Sequence, residues 1–182
     1  GPGGGGGGPG IVDPPLVACV GYPTVDETLT ADTTDWPAGI DLTYLWLRDG
    51  EVIDGATDST YVLGVDDAGH AITVSVTGAP DGTNVLTGVS EPLDVALADL
   101  LSTPAPIIQG TTKVGQVIGM DLGAWDDGVE FAFQWYIDND AVEGATENSF
   151  EVPPAAVDLD VFVEVTGYKT GYNPSLQSSD PV

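Results

Sequence analysis

The chain has 182 residues, of which 29 are acidic and 3 basic, so its formal charge is −26. Such a surface repels phosphate backbones and anionic lipids, which argues against binding to nucleic acid or to anionic membranes. No segment approaches the roughly 18 apolar residues of a membrane span, so membrane insertion is not expected either. The single cysteine, Cys19, excludes a disulfide within the chain, so packing has to hold the fold together.

Residues 1–14 begin GPGGGGGGPG, and a glycine-rich segment of this kind predicts a flexible leader. Short extended runs follow at residues 16–20, 27–32 and 42–48. In the last of these, residues 42, 44 and 46 alternate with 43, 45 and 47, which is the period of a strand. Asp49-Gly50 then predicts a two-residue hairpin turn.

The sequence YLWLRDGEVIDGATDSTY, residues 44–61, returns as FQWYIDNDAVEGATENSF, residues 133–150, at an offset of 89. The same offset carries Trp36 onto Trp125, Trp46 onto Trp135, and the Val-Thr-Gly of residues 76–78 onto residues 165–167. Repetition without insertions indicates a duplicated domain. We predict domains at residues 15–97 and 104–182, joined by a linker at residues 98–103.

Each copy holds about seven short strands with frequent turns and no helical periodicity, which predicts an all-β fold of two tandem two-sheet β-sandwiches. In the second copy, Asp138-Asn139-Asp140 fills the hairpin turn, with Asn139 in the role of Gly50. Alternating residues 131, 133 and 135, and 161, 163 and 165, are expected to face its core.

The motifs resemble a family of bacterial immunoglobulin-like repeats of secreted and surface proteins and of tailed-phage structural proteins. The matching residues are the loop Trp36, the strand and turn YLWLRDG, the GATDSTY segment, the run from Asp67 to Val74, and Val76-Thr77-Gly78. The second copy departs from the family pattern at Ile137 and at residues 156–159. The resemblance implies that the fold is all-β, with two tandem immunoglobulin-like β-sandwich domains, and that the chain serves as a spacer, stalk or adhesive module.

No catalytic set is evident, because His70 is the single histidine and has no second base of its kind. We therefore expect no enzyme. Carboxylates cluster in turns, and hard oxygen ligands on loops suit calcium. The candidate metal residues are Asp126, Asp127, Asp138 and Asp140, although none of these turns has an ordered twelve-residue calcium loop, and solvated turn residues are the alternative.

Ligand binding is expected to use exposed aromatic rings, since tyrosines stack on sugars while their hydroxyls stay hydrated. The candidate residues are Tyr168 and Tyr172, which flank the GYKTGYN loop, and Tyr136 on the outer face of its strand. Packing of these rings over their own sheet is the alternative.

The main expectation for function is a spacer or stalk of an extracellular surface protein, attached to other domains of its parent. The alternatives are a phage capsid or tail decoration, located on the virion, and a module of a secreted enzyme that binds polysaccharide or cell wall.

Overall fold

A computed structural model of the chain describes residues 13–182. Except for Asp13 and Pro14, the predicted leader lies outside the described residues. The chain divides into two compact units, the first ending at Ala96 and the second beginning at Leu97. Within the described residues, no helix has the length and apolar character needed to cross a membrane.

The first unit contains two antiparallel sheets. Its strands are β1 (Ala18–Val20), β2 (Thr28–Asp32), β3 (Thr43–Arg48), β4 (Glu51–Val52), β5 (Thr60–Val62), β6 (Ala71–Gly78), β7 (Leu86–Val89) and β8 (Leu93–Asp94). One sheet has the order β1-β2-β5, and the other has the order β4-β3-β6-β7, with β8 also paired to β6.

The second unit repeats this arrangement. Its strands are β9 (Ile107–Gln109), β10 (Val117–Asp121), β11 (Glu130–Ile137), β12 (Asp140–Ala141), β13 (Ser149–Glu151), β14 (Val161–Tyr168) and β15 (Ser175–Ser178). The sheets have the orders β9-β10-β13 and β12-β11-β14-β15. In both units the chain leaves the first sheet, forms a hairpin in the second, and returns, as in immunoglobulin folds. The prediction of two tandem immunoglobulin-like sandwiches is confirmed.

A tryptophan lies at the centre of each core, as the alternation along the strands predicts. Trp46 on β3 and Trp135 on β11 are fully buried. Each indole Nε1 donates a hydrogen bond to a backbone carbonyl twelve residues further on, at Asp58 and Glu147 respectively. The predicted inward valines of β14, at positions 161, 163 and 165, are buried against Trp135. Each tryptophan thus connects its own sheet to the segment that crosses towards the other sheet.

The hairpin turns have the geometry that their residues favour. Asp49 and Gly50 both have positive φ, 49° and 83°, which is the requirement of a type I′ turn. In the second unit Asp138 has φ 50°, so an aspartate again begins the turn. The backbone N–H of Asp49 donates to the carbonyl of Ala71, the first residue of β6, and that of Asp138 donates to the carbonyl of Asp160, which directly precedes β14.

Hydrogen bonds fix the predicted linker, residues 98–103, to the second unit. The carbonyl of Ala98 accepts a bond from the backbone N–H of Asn173, and the carboxylate of Asp126 accepts bonds from the N–H groups of Leu101 and Ser102. These residues therefore belong structurally to the second unit, although the predicted domain limits themselves stay a prediction.

Candidate functional site

The outer face of the β12-β11-β14-β15 sheet carries a pair of stacked aromatic rings. Tyr136 and Phe162 are direct neighbours in the β11–β14 register, with ring centroids 4.7 Å apart and an interplanar angle of 3°. They lie on this face because Trp135 and Val161 take the alternate, inward positions. The rings form an apolar strip in a strongly anionic chain.

The hydroxyl of Tyr136 donates a hydrogen bond to Oε2 of Glu164 at 2.8 Å. This bond is the main reason why the pKa of Tyr136 is raised above 10.0, because the carboxylate stabilises the protonated phenol. Tyr136 therefore has a fixed hydroxyl as well as a packed ring. The predicted candidate lies on the outer face, as expected.

The other two candidate tyrosines lie at the opposite end of the sheet. Tyr168, the last residue of β14, is 49% exposed, and the ammonium of Lys169 lies 4.4 Å from the ring centre of Tyr172. Phe162, the partner of Tyr136, and Tyr168 are six positions apart on β14, a distance of roughly 20 Å along a strand. Tyr136 is therefore not brought together with Tyr168 and Tyr172.

Two of the four predicted metal residues, Asp126 and Asp138, serve as acceptors for backbone N–H groups. Asp126 binds the two N–H groups of residues 101 and 102, and Oδ1 of Asp138 accepts the N–H of Asp160 at 3.0 Å. Asp127 and Asp140 are exposed. In the part of the chain that the structure describes, no group of three or more His, Cys, Asp or Glu side chains could hold a metal ion. The calcium hypothesis stays a prediction.

An open cleft of about 330 Å³ adjoins the stacked rings. Its lining combines an aromatic ring, two carboxylates, an amide and two hydroxyls, from Asp138, Asn139, Asp160, Phe162, Ser178, Ser179 and Pro181. The β11–β12 turn supplies the first two of these residues, and the ends of β14 and β15 supply the others. No basic side chain is among them.

The equivalent turn of the first unit holds the single histidine. Nδ1 of His70 lies 2.5 Å from Oδ2 of Asp49, and the N–H of Ala71 donates to Oδ1 of the same carboxylate. The backbone bond from Ala71 and then the imidazole lower the pKa of Asp49. Both side chains of the pair are about half exposed. Their contact joins the β3–β4 turn to the start of β6.

Sequence reasoning missed a buried polar network in the first unit. Asp67 is fully buried, and its carboxylate accepts hydrogen bonds from Arg48, the hydroxyl of Tyr61 and the backbone N–H of Gly64. Buried carboxylates require such partners. Asp67 is therefore a structural residue, and not part of a solvated acidic turn.

Comparison of the two repeats could have revealed that network. At the offset of 89, the second copy carries Ile137, Phe150 and Ala156 in place of Arg48, Tyr61 and Asp67. All three polar members are thus replaced together by apolar residues. A concerted loss of this kind is the sequence signal of residues that contact one another.

Comparison with known proteins adds a relationship to a phage protein. No family model matches the chain. The highly immunogenic outer capsid protein of Enterobacteria phage T4 is 28% identical to it over 138 residues, which cover 71% of this chain and 37% of that protein. The resemblance to tandem immunoglobulin-like domains of virion proteins is confirmed. The chain spans little more than a third of that relative.

Solved structures with a similar fold include both phage and animal proteins. Three N-terminal domains of the bacteriophage RB49 highly immunogenic outer capsid protein match 91% of this chain and 59% of that one, with a TM-score of 0.41 and 17% identity. The amphioxus IgVJ-C2 molecule matches 94% of this chain and 99% of its own, with a TM-score of 0.33 and 14% identity. Both phage proteins are described as outer capsid proteins.

Proposed function

We propose that this chain is part of a virion decoration protein, which displays immunoglobulin-like domains on the outside of a phage capsid. The observation that carries the proposal is the 28% identity, over 138 residues, to an outer capsid protein. The alternative prediction from sequence is therefore favoured over the main expectation of a stalk on a bacterial surface protein.

The physical character of the chain supports a display role. Each unit has its own core, from Leu29 and Trp46 in the first to Ile118 and Trp135 in the second, as independently packed domains require. The charge of −26 limits unwanted association with nucleic acid and with other anionic surfaces. No catalytic step is proposed.

Reconstitution of particles tests this function. Virions whose gene for this protein is deleted should still assemble, since a decoration protein binds a finished shell. The purified full-length protein should then cosediment with these particles and saturate at a fixed number of copies per particle. Failure of the deletion virions to assemble, or failure of the protein to sediment with them, would contradict the proposal.

A second candidate function is binding to polysaccharide or cell wall, and the exposed ring of Tyr168 favours it. Retention on insoluble polysaccharides and bacterial walls should be measured with calcium and with a chelator. The comparison is a Tyr168→Ala/Tyr172→Ala double variant, with Tyr22→Ala as a control at another exposed tyrosine. Retention that only the double variant loses would support this candidate, and retention that needs calcium would support the calcium hypothesis.

A further inference from the structure

We propose that the cleft between the β11–β12 turn and the end of β15 binds a guanidinium group, the side chain of an arginine on a protein partner. Its elements are the carboxylates of Asp138 and Asp160 and the ring of Phe162, all of which line one cavity of about 330 Å³. This inference does not depend on the proposed virion role.

The carboxylate of Asp138 is held in place with one oxygen unused. Its Oδ1 accepts the N–H of Asp160 at 3.0 Å, and its own N–H donates to the carbonyl of Asp160 at 2.7 Å. Among residues 13–182, Oδ2 receives no hydrogen bond. A fixed acceptor needs no ordering when a ligand arrives, which lowers the entropic cost of binding.

In the first unit, the carboxylate oxygen equivalent to Oδ2 of Asp138 contacts a nitrogen-bearing side chain. At the equivalent position, Oδ2 of Asp49 lies 2.5 Å from a ring nitrogen of His70. In the second unit the residue at the position of His70 is Leu159, which has no nitrogen donor. The repeat thus keeps the acceptor and has lost the internal donor.

Two further changes between the repeats create the rest of the cleft. Asp160 replaces Ala71 and adds a second carboxylate, while Phe162 replaces Thr73 and adds a ring. Phe162 is supported by its stack on Tyr136. Carboxylates beside an aromatic ring suit guanidinium in particular, because its planar fork pairs with carboxylates and its face stacks on the ring.

The charge of the lining and its aromatic ring together make an arginine the expected kind of ligand. The lining contains two carboxylates and no basic side chain, so a cation is attracted to the cleft and meets no competing positive charge there. A compact ammonium would pair with one carboxylate, whereas guanidinium can use both oxygens and the ring. We therefore expect arginine to bind more tightly than lysine.

Titration of the full chain with Nα-acetyl-arginine amide, followed by NMR of the backbone amides, tests the site. Shifts should saturate and be largest around residues 138–139, 160–162 and 178–179, with no saturating shifts at the equivalent turn near Asp49. Nα-acetyl-lysine amide should bind about threefold more weakly, a difference on the scale of one surface ion pair. Nα-acetyl-citrulline amide, which is uncharged, should produce no saturating shifts.

The variants Asp138→Asn and Asp160→Asn should each weaken arginine binding by about three- to fivefold. Asparagine tolerates the positive φ of position 138 and keeps the acceptor for the N–H of Asp160, so the turn should stay folded. The matched control is Asp140→Asn, which removes the same charge from the same turn outside the cleft. Equal weakening in the control, equal affinity for lysine, or shifts that do not saturate would overturn the proposal.

Discussion

Arg48, the last residue of β3, forms an ion pair with Asp67, which precedes β6 in the first unit. Nη2 of Arg48 lies 2.6 Å from Oδ1 of Asp67. Asp67 is fully buried, whereas the arginine side chain keeps 31% of its exposure. The second unit achieves the same fold without this pair, through Ile137 and Ala156. The two repeats therefore provide a natural comparison of a buried charge with an apolar replacement.

Removal of Asp67 alone should destabilise the first unit. Asp67→Ala leaves the guanidinium, the hydroxyl of Tyr61 and the N–H of Gly64 without their acceptor, which should cost about 2–4 kcal/mol. The measurement is native-state hydrogen exchange, in which the β6 amides should exchange faster while the β14 amides keep their rates.

The control for this prediction imitates the second unit. The triple variant Arg48→Ile/Tyr61→Phe/Asp67→Ala removes all three polar side chains of the network, so that the backbone N–H of Gly64 is the one member left without its acceptor. It should recover most of the lost protection of β6. A triple variant less stable than Asp67→Ala would contradict this expectation. It would show that the remaining side chains of the network stabilise the first unit even without Asp67.

Gly167 should tolerate no side chain. A Cβ at this position would lie 2.5 Å from Cζ3 of Trp125 and 3.0 Å from Cγ1 of Val129, so Gly167→Ala should destabilise the second unit by about 1–3 kcal/mol. Gly119→Ala is the matched control, because its added Cβ would meet nothing closer than 3.9 Å. Urea unfolding of both variants tests the difference, and equal midpoints would contradict it.

Cys19 should react slowly with thiol reagents. Burial raises the pKa of its thiol to about 11, so only about 1% should be thiolate near pH 9, against about half of a thiol with the ordinary pKa of 9.0. A disulfide reagent should therefore modify the native chain about fiftyfold more slowly than the chain unfolded in urea. Similar rates in the two states would show that the thiol is neither buried nor perturbed.

The Tyr136–Glu164 bond should make the second unit sensitive to alkali. Because the folded pKa of Tyr136 is raised above 10.0, its contribution is complete below about pH 10 and is lost as the pH rises through the folded pKa. Tyr136→Phe should remove this part of the pH dependence, as measured by urea midpoints across that range. If Tyr136→Phe keeps the same pH dependence, the loss of stability at high pH comes from other groups.

The sequence predicted the sandwich well because burial on one sheet face imposes a period of two. The alternation around Trp46 and Trp135, and the Asp49-Gly50 turn, were enough to place the central strands and hairpins. Repetition at a constant offset gave the duplication directly. The strands and the turns depend on residues close together in the chain, which is why local patterns reveal them.

Contacts across strands were harder to predict. Asp67 belongs to an acidic turn in sequence, and its burial depends on Arg48, which lies 19 residues away. Likewise, the stack of Tyr136 on Phe162 follows from the register of β11 with β14, which loop lengths and packing determine. The candidate cleft was hard to predict for the same reasons, since its residues come from a turn and from the ends of two strands that are distant in sequence.

Immunogold electron microscopy of lysates that contain the protein tests the virion assignment most directly. Antibodies raised against this chain should label the outside of the capsids in intact particles, and particles from which the gene is deleted should carry no label. Label on the bacterial envelope, with unlabelled capsids, would contradict the virion assignment and restore the surface-stalk interpretation.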